Sequence, residues 1–271
     1  MIVATGPAAS LRRVAAMVRR HVYVLRGSWA RLLELMYWPL MQMLMWGFIT
    51  VFLREQSSWV AQGAGVLISA MLLWDVLFRA NLGFAVSFLE EMWSRNFGQL
   101  FISPLRPAEL VASLMVMSLI RTLIAILPAA VLSMVFFDVW VFSLGPPLIA
   151  FFANLLVMGW CVGLVVSAIV LRHGMGAEGI CWAAVYLFAP VSGVYYPIDI
   201  LPAWLQPVAW ALPSSYVFEG MRAVLFDHAF RVDYLLRAAG LNMLYLALSA
   251  AFFLYTVHVA REKGLLLQQG E

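Results

Sequence analysis

Long apolar runs broken by short polar stretches dominate this chain, at about 32–52, 63–86, 110–136, 145–171, 177–194 and 234–258. Most reach the roughly 20 residues that a helix needs to cross about 30 Å of hydrocarbon. Their apolar positions are continuous rather than alternating, and a backbone facing lipid must satisfy its own hydrogen bonds, so helices are the natural choice. The pattern predicts an all-α integral membrane protein with six transmembrane helices.

Three further segments carry a different pattern. In residues 11–26, Leu11, Ala15, Val18, Val22 and Leu25 fall on one helical face, with Arg12, Arg13, Arg19, Arg20 and Arg26 elsewhere. This predicts an N-terminal amphipathic helix, within residues 1–31, lying on the membrane surface. Residues 87–101 place Leu89, Trp93, Phe97, Leu100 and Phe101 on one face and Glu90, Glu91, Arg95 and Gln99 off it. A short amphipathic helix between spans is expected there. Residues 195–222 are apolar but interrupted by Pro197, Pro202, Pro207 and Pro213, too many for one spanning helix. With Tyr195, Tyr196, Trp204, Trp210 and Tyr216, the segment predicts a broken, re-entrant helical hairpin at the outer interface, then a helix opening near Ser214 and Ser215.

Composition sharpens the picture. Of 271 residues, 64% are hydrophobic and 11% charged, an excess that one soluble core cannot hide. The net charge of +3 comes from arginines placed mostly at the ends of apolar runs, which reads as membrane orientation rather than nucleic-acid binding. Eleven Lys and Arg residues fall at the N-terminus, the 87–109 loop, Arg172 and the C-terminus, against four (Arg54, Arg222, Arg231, Arg237) on the opposite side. Both termini, including a tail over 259–271, are expected in the cytoplasm of a multi-pass protein of the cell (inner) membrane. The first apolar run is read as a retained span, being too long for a signal peptide and lacking a cleavage site. Cys161 and Cys181 lie inside apolar runs and behave as small hydrophobes.

Candidate chemistry is sparse. Gly174, Gly176 and Gly179 match a dinucleotide fingerprint by spacing, but a span rather than a strand precedes them, so a tight turn is the better reading. Gly159 and Gly163 form a G-x-x-x-G pair that suits close helix approach. The four histidines are scattered and form no metal-binding pattern, so no metal is expected. Asp75 and Arg79 are four apart and can neutralise each other, whereas Arg121 has no acidic residue at helical spacing. Such charges inside spans are either structural pairs or the lining of a pathway. Glu219 and Arg222 are placed to pair on the outer side. Tyr37, Trp46, Phe48 and Phe52 in the first span offer aromatic faces on which a sugar or lipid could pack. The one lysine, Lys263, has no Gly-rich loop beside it, so any ATP hydrolysis must come from another polypeptide.

The order of segments, with Tyr37-Trp38-Pro39, Phe88-Leu89-Glu90-Glu91 through Ser103-Pro104-Leu105-Arg106, Tyr196-Pro197-Ile198 through Leu201-Pro202-Trp204-Leu205, and Leu212-Pro213 to Glu219-Gly220-Met221-Arg222, resembles the permease subunit of type-2 ABC exporters over nearly the whole chain. The resemblance implies that residues 87–101 are a coupling helix seated in a separate ATPase subunit, with Glu90, Glu91 and Arg95 as its coupling residues. It implies Tyr196, Pro197, Glu219 and Arg222 in an outer hairpin or gate. ATP and Mg would sit at that partner ATPase, with no cofactor bound by this chain. Six helices would struggle to enclose a path for a bulky amphipathic substrate, so a second permease copy or a paralogue is expected alongside, within membrane lipid. The alternatives are an intramembrane lipid-acting enzyme, for which the sequence offers only isolated polar residues, and a channel or scaffold.

Overall fold

The computed structural model describes residues 6–56 and 58–262, with side chains except those of residues 53–65, 97, 98 and 101. Expectations that fall on the side chains of Arg54, Phe97 and Phe101, or on the tail beyond residue 262 with Lys263, lie outside the described residues. The chain runs through α1 (Pro7–Arg26), α2 (Trp29–Gln56), α3 (Ser58–Trp93), α4 (Phe97–Ile102), α5 (Pro107–Phe137), α6 (Pro146–His173), α7 (Ile180–Ala183), α8 (Gln206–Trp210), α9 (Pro213–Phe226) and α10 (Val232–Glu262). Among the described residues, five helices are long and apolar enough to cross a membrane, and Met175–Leu187 is a shorter apolar segment. The all-α membrane architecture is therefore present.

The expected crossing at 177–194 differs from the other five in its winding. A 3-10 turn (Met175–Ala177), the single turn of α7 and a second 3-10 turn (Val185–Leu187) follow one another, with turns continuing toward Gly193. Its hydrogen bonds alternate in span, from Trp182 N–H to the Gly179 carbonyl and from Ala184 N–H to the Ile180 carbonyl. Pro190 brings no amide hydrogen to such a ladder, and Gly174 and Gly193 flank the segment at φ of 78° and 64°.

The helix α3 is the axis of the bundle, packed by α2, α5 and α6. Of its most apolar stretch 83% is buried, against 22% for α2 and 28% for α10. Without a hydrophobic drive between helices in lipid, close contact relies on small residues and polar links. Both are present here. A Cβ on Gly159 would stand 2.7 Å from the Leu77 carbonyl oxygen and 2.5 Å from the Ala80 Cβ, and one on Gly163 would stand 3.0 Å from Phe84 Cβ. The glycine pair thus faces α3. Ser118 donates to the Ala80 carbonyl at 2.6 Å and accepts from Trp160 Nε1 at 3.1 Å, joining α3, α5 and α6 at one node. Asn81 Nδ2 donates to the Cys181 carbonyl at 2.8 Å, tying α7 to the axis, and Asn242 Nδ2 donates to the Asn154 side chain at 2.9 Å, tying α10 to α6.

The prolines of the 195–222 segment open its short elements. Pro197 precedes a 3-10 turn (Ile198–Ile200), while Pro207 and Pro213 sit in the first turns of α8 and α9, where a missing amide hydrogen costs nothing.

Candidate functional site

Three constellations gather the polar side chains of this largely apolar molecule. The first lies where α1 crosses the ends of α3 and α5. Glu109, in the first turn of α5, accepts the Arg106 backbone amide at 3.0 Å. It also receives the Arg13 guanidinium through two bonds, at 2.8 Å and 2.6 Å, a forked geometry that fixes orientation as well as charge. Two residues from the end of α3, Glu91 is 2% exposed and holds Arg20 Nη1 at 2.6 Å, with Asn96 Nδ2 at 2.9 Å on its other oxygen. Beside it, Glu90 takes Arg121 Nη2 at 2.7 Å and stands 3.5 Å from Arg31 Nη1.

These contacts correct the reading of residues 87–101 as one helix. The helix α3 runs on to Trp93, the chain turns through Ser94, Arg95 and Asn96 with Arg95 at φ 53°, and only then does the six-residue α4 begin. The turn is held by the Asn96 side chain on Glu91 and the Asn96 amide on the Glu91 carbonyl at 3.1 Å. Glu90 and Glu91 therefore belong to the end of a long helix and face inward onto α1 and α5, while Arg95 is exposed at the corner. Beyond it, Ile102 at the end of α4 is 89% exposed.

The face that α1 turns to the protein overlaps its apolar stripe only at one edge, through Leu25. Met17, His21 and Leu25 are buried, whereas Leu11 is exposed. The stripe is centred about a quarter turn away, counted at 100° per residue, and ionic contacts join the packing of Met17 in anchoring the helix to the bundle.

His21 is central to that anchor. Its Nδ1 faces the Met17 carbonyl at 3.0 Å and its Nε2 lies 3.1 Å from Glu91 Oε1. Burial by itself lowers its pKa, but Glu91, the Met17 carbonyl and the charge of Glu90 together raise it above the ordinary 6.5. A raised folded-state pKa means that the stabilisation is fully present below the unfolded value and is lost as pH rises through the folded one. Hydrogen exchange of α1 amides, corrected for intrinsic rates, is expected to accelerate as pH rises above 6.5, and His21→Gln is expected to abolish that dependence.

The second constellation is a cavity of about 620 Å³ between α2, α3, α5 and the α7 segment. Its polar wall comprises Arg31, Glu34, Gln42, Arg79, Glu90 and Arg121, and Trp38, Trp182 and Tyr186 supply aromatic surface. Two of the expected intramembrane charges thus meet in one chamber. Asp75 stands behind Arg79, with 3.4 Å between Oδ2 and Nε. Arg121 finds its acid in Glu90, 31 residues earlier on another helix, and its Nε is buried with no hydrogen-bond partner among the described residues.

The expected aromatic set of α2 is divided. Tyr37, Phe48 and Phe52 are exposed along one side, whereas Trp46 turns inward and stacks on Tyr195 with ring centroids 4.8 Å apart.

The third constellation is on the proline-rich segment 195–222. Arg222, in α9, donates through Nη2 to the carbonyls of Gly193 and Tyr196, the latter at 2.7 Å, and lies 3.2 Å from Glu219 Oε1. Glu219 Oε1 also accepts the Ile198 amide at 2.9 Å. Ser214 donates to Ser192 at 2.9 Å beside them. Tyr196, Glu219 and Arg222 are brought together by this pin, and Pro197 supplies the extended residue between two of its contacts.

The sequence profile of the ABC-2 type transporter family matches residues 13–226, which run from the Arg13 anchor on α1 to the last residue of α9. The chain belongs to the ABC-2 type transporter family. It is a permease, the membrane component of a transporter, and ABC-2 permeases normally work with an ATPase subunit. The matched stretch contains the ionic anchor, the cavity and the Arg222 pin; α10, which closes the bundle against α6, lies beyond it. Among curated proteins none matches the chain.

Proposed function

We propose that this ABC-2 permease forms half of the translocation pathway of an ATP-driven exporter for an amphipathic substrate, with a second copy or a paralogue supplying the other half. Both termini lie on the cytoplasmic side of the cell membrane on this reading, which requires the irregular 177–194 segment to make the sixth crossing. ATP and Mg are handled by a separate ABC ATPase, and this chain contributes no catalytic residue.

The observation that carries the reading is the corner between α3 and α4. A short helix, seated by the buried Leu100 and ending in the exposed Ile102, follows a turn whose root, Glu91, is locked to α1 through Arg20 and His21. Movement of a partner against α4 would reach α3, α5 and the cavity wall as a rigid-body displacement, because Glu90 joins that root to Arg121. Glu90 and Glu91 act on this view by holding α4 in place, and Arg95 at the exposed corner is their only member available to a docking protein.

Purification of the native complex in mild detergent tests the proposal. An ABC ATPase is expected to co-purify, and Ile102→Asp is expected to lower its retention by about tenfold, as for an apolar anchor in an interface, without changing the melting temperature. Co-purification of no ATPase with the unaltered chain would overturn the reading. A chemical turnover of lipid without transport would favour an intramembrane enzyme instead.

A further inference from the structure

The cavity between α2, α3, α5 and α7 holds more cationic donor capacity than the protein itself uses. Arg31, Arg79 and Arg121 line it against two carboxylates, Glu34 and Glu90. Each guanidinium offers five N–H donors. Glu90 is divided between two of them, close to Arg121 at 2.7 Å and distant from Arg31 at 3.5 Å. Arg79 has Asp75 at 3.4 Å, a distance at which a hydrogen bond is weak. Arg121 is 5% exposed and keeps its buried Nε unmatched among the described residues. An unmatched guanidinium donor in a desolvated wall is costly, and charges inside a membrane bundle mark ligand pathways by default.

We propose that this cavity binds the anionic head of an amphipathic substrate, a phosphate monoester, between Arg31, Arg79 and Arg121. Phosphate matches the planar fork of arginine through paired hydrogen bonds, and its several oxygens can engage more than one guanidinium at once. Trp38, Trp182 and Tyr186 on the same wall give the adjoining apolar or glycosyl part of the molecule flat surfaces to pack against. The chamber, about 620 Å³, is in the range that encloses a head group and the first part of its body rather than a whole long-chain lipid. Glu34 opposes the charge of the ligand, and its presence distinguishes a site that releases its ligand from one that traps it. As an account of what is transported, this rests on the exporter reading above; the binding itself does not.

The test is equilibrium binding to the full-length chain, purified with its ATPase where one co-purifies. The probes are short-chain phosphatidic acid, phosphatidylcholine of the same chains, and inorganic pyrophosphate as a competitor. Phosphatidic acid is expected to bind, and phosphatidylcholine to bind about tenfold more weakly, as loss of one charge-assisted contact implies. Arg31→Gln, at a half-exposed position that folding tolerates, is expected to weaken binding several-fold, and Glu34→Gln to strengthen it. Arg121→Gln would leave Glu90 without its close partner, so the Arg121 contribution is read as the double variant E90Q/R121Q against E90Q alone, with the melting temperature of each as a check. Arg237→Gln, on the exposed side of α10, serves as the control. Competition by pyrophosphate would identify the phosphate group alone as what is recognised. Phosphatidic acid binding without such competition would identify a membrane lipid or lipid-linked molecule as its carrier. Equal binding of the two lipids, no binding of phosphatidic acid, or indifference both to R31Q and to R121Q in the E90Q background would overturn the proposal. If an ATPase co-purifies and drives transport while phosphatidic acid does not bind, the site falls and the exporter reading stands; binding in the absence of any ATPase partner gives the reverse.

Discussion

Replacing Arg222 by alanine is expected to loosen the whole segment between α7 and α9 and to lower stability by about 3–5 kcal/mol, the usual cost of removing one partner from a buried charged pair. The residue is 9% exposed, and three acceptors converge on it: the Gly193 and Tyr196 carbonyls and Glu219. Their loss leaves two carbonyls without the guanidinium and a carboxylate without its counter-charge. Arg222→Lys restores the charge but not the fork, and is expected to fall between alanine and the native residue. Glu219→Gln keeps an oxygen for the Ile198 amide and removes only the ion pair, so a loss of about 1 kcal/mol is expected. Melting in detergent gives the order of the three variants, and limited proteolysis over 193–212 locates the change. Equal melting of all three would show that the pin does not hold the segment.

Gly159→Val is expected to have a comparable effect by a different route. Its Cβ would lie 2.7 Å from a backbone oxygen and 3.0 Å from a backbone nitrogen of α3, atoms that cannot rotate away. The two helices must separate, and overpacking of this kind costs about 1–3 kcal/mol or more. The cost extends beyond the glycine, because the Ser118 node and the Gly163 contact with Phe84 depend on the same approach. Gly240→Ala in α10 is the matched control: nothing stands within 4 Å of its Cβ, so a neutral or slightly stabilising result of about 0.5–1 kcal/mol is expected from helix propensity. A thermal shift for Gly159→Val no larger than that of the control would refute the close-packing account.

Features that depend on local pattern were legible in the sequence. Length and continuity of the apolar runs identify the long helices, the proline spacing divides residues 195–222 into short pieces, and the four-residue spacing of Asp75 and Arg79 foretells their proximity. What was not legible depends on how one helix is rotated against another. Arg121 looks solitary because its acid, Glu90, sits on a different helix; no spacing rule links positions 90 and 121. The same holds for Arg13 with Glu109 and Arg20 with Glu91, and those pairs decide which side of α1 meets the bundle. The division between α3 and α4 was hidden because the apolar periodicity continues through it, while the backbone turns at Arg95 on a bond from Asn96 to Glu91. The polar run Ser94-Arg95-Asn96 was the available signal.

The unequal covering of the long helices bears on how the chain tolerates change. The axial helix α3 is sheathed by its own neighbours, whereas α2 and α10 turn most of their oily length outward. Whatever settles beside this molecule, fatty tail or companion polypeptide, meets those two staves first. Exchanging one greasy side chain for another should pass almost unnoticed on their outer flanks, while the same swap along α3 disturbs several neighbours at once.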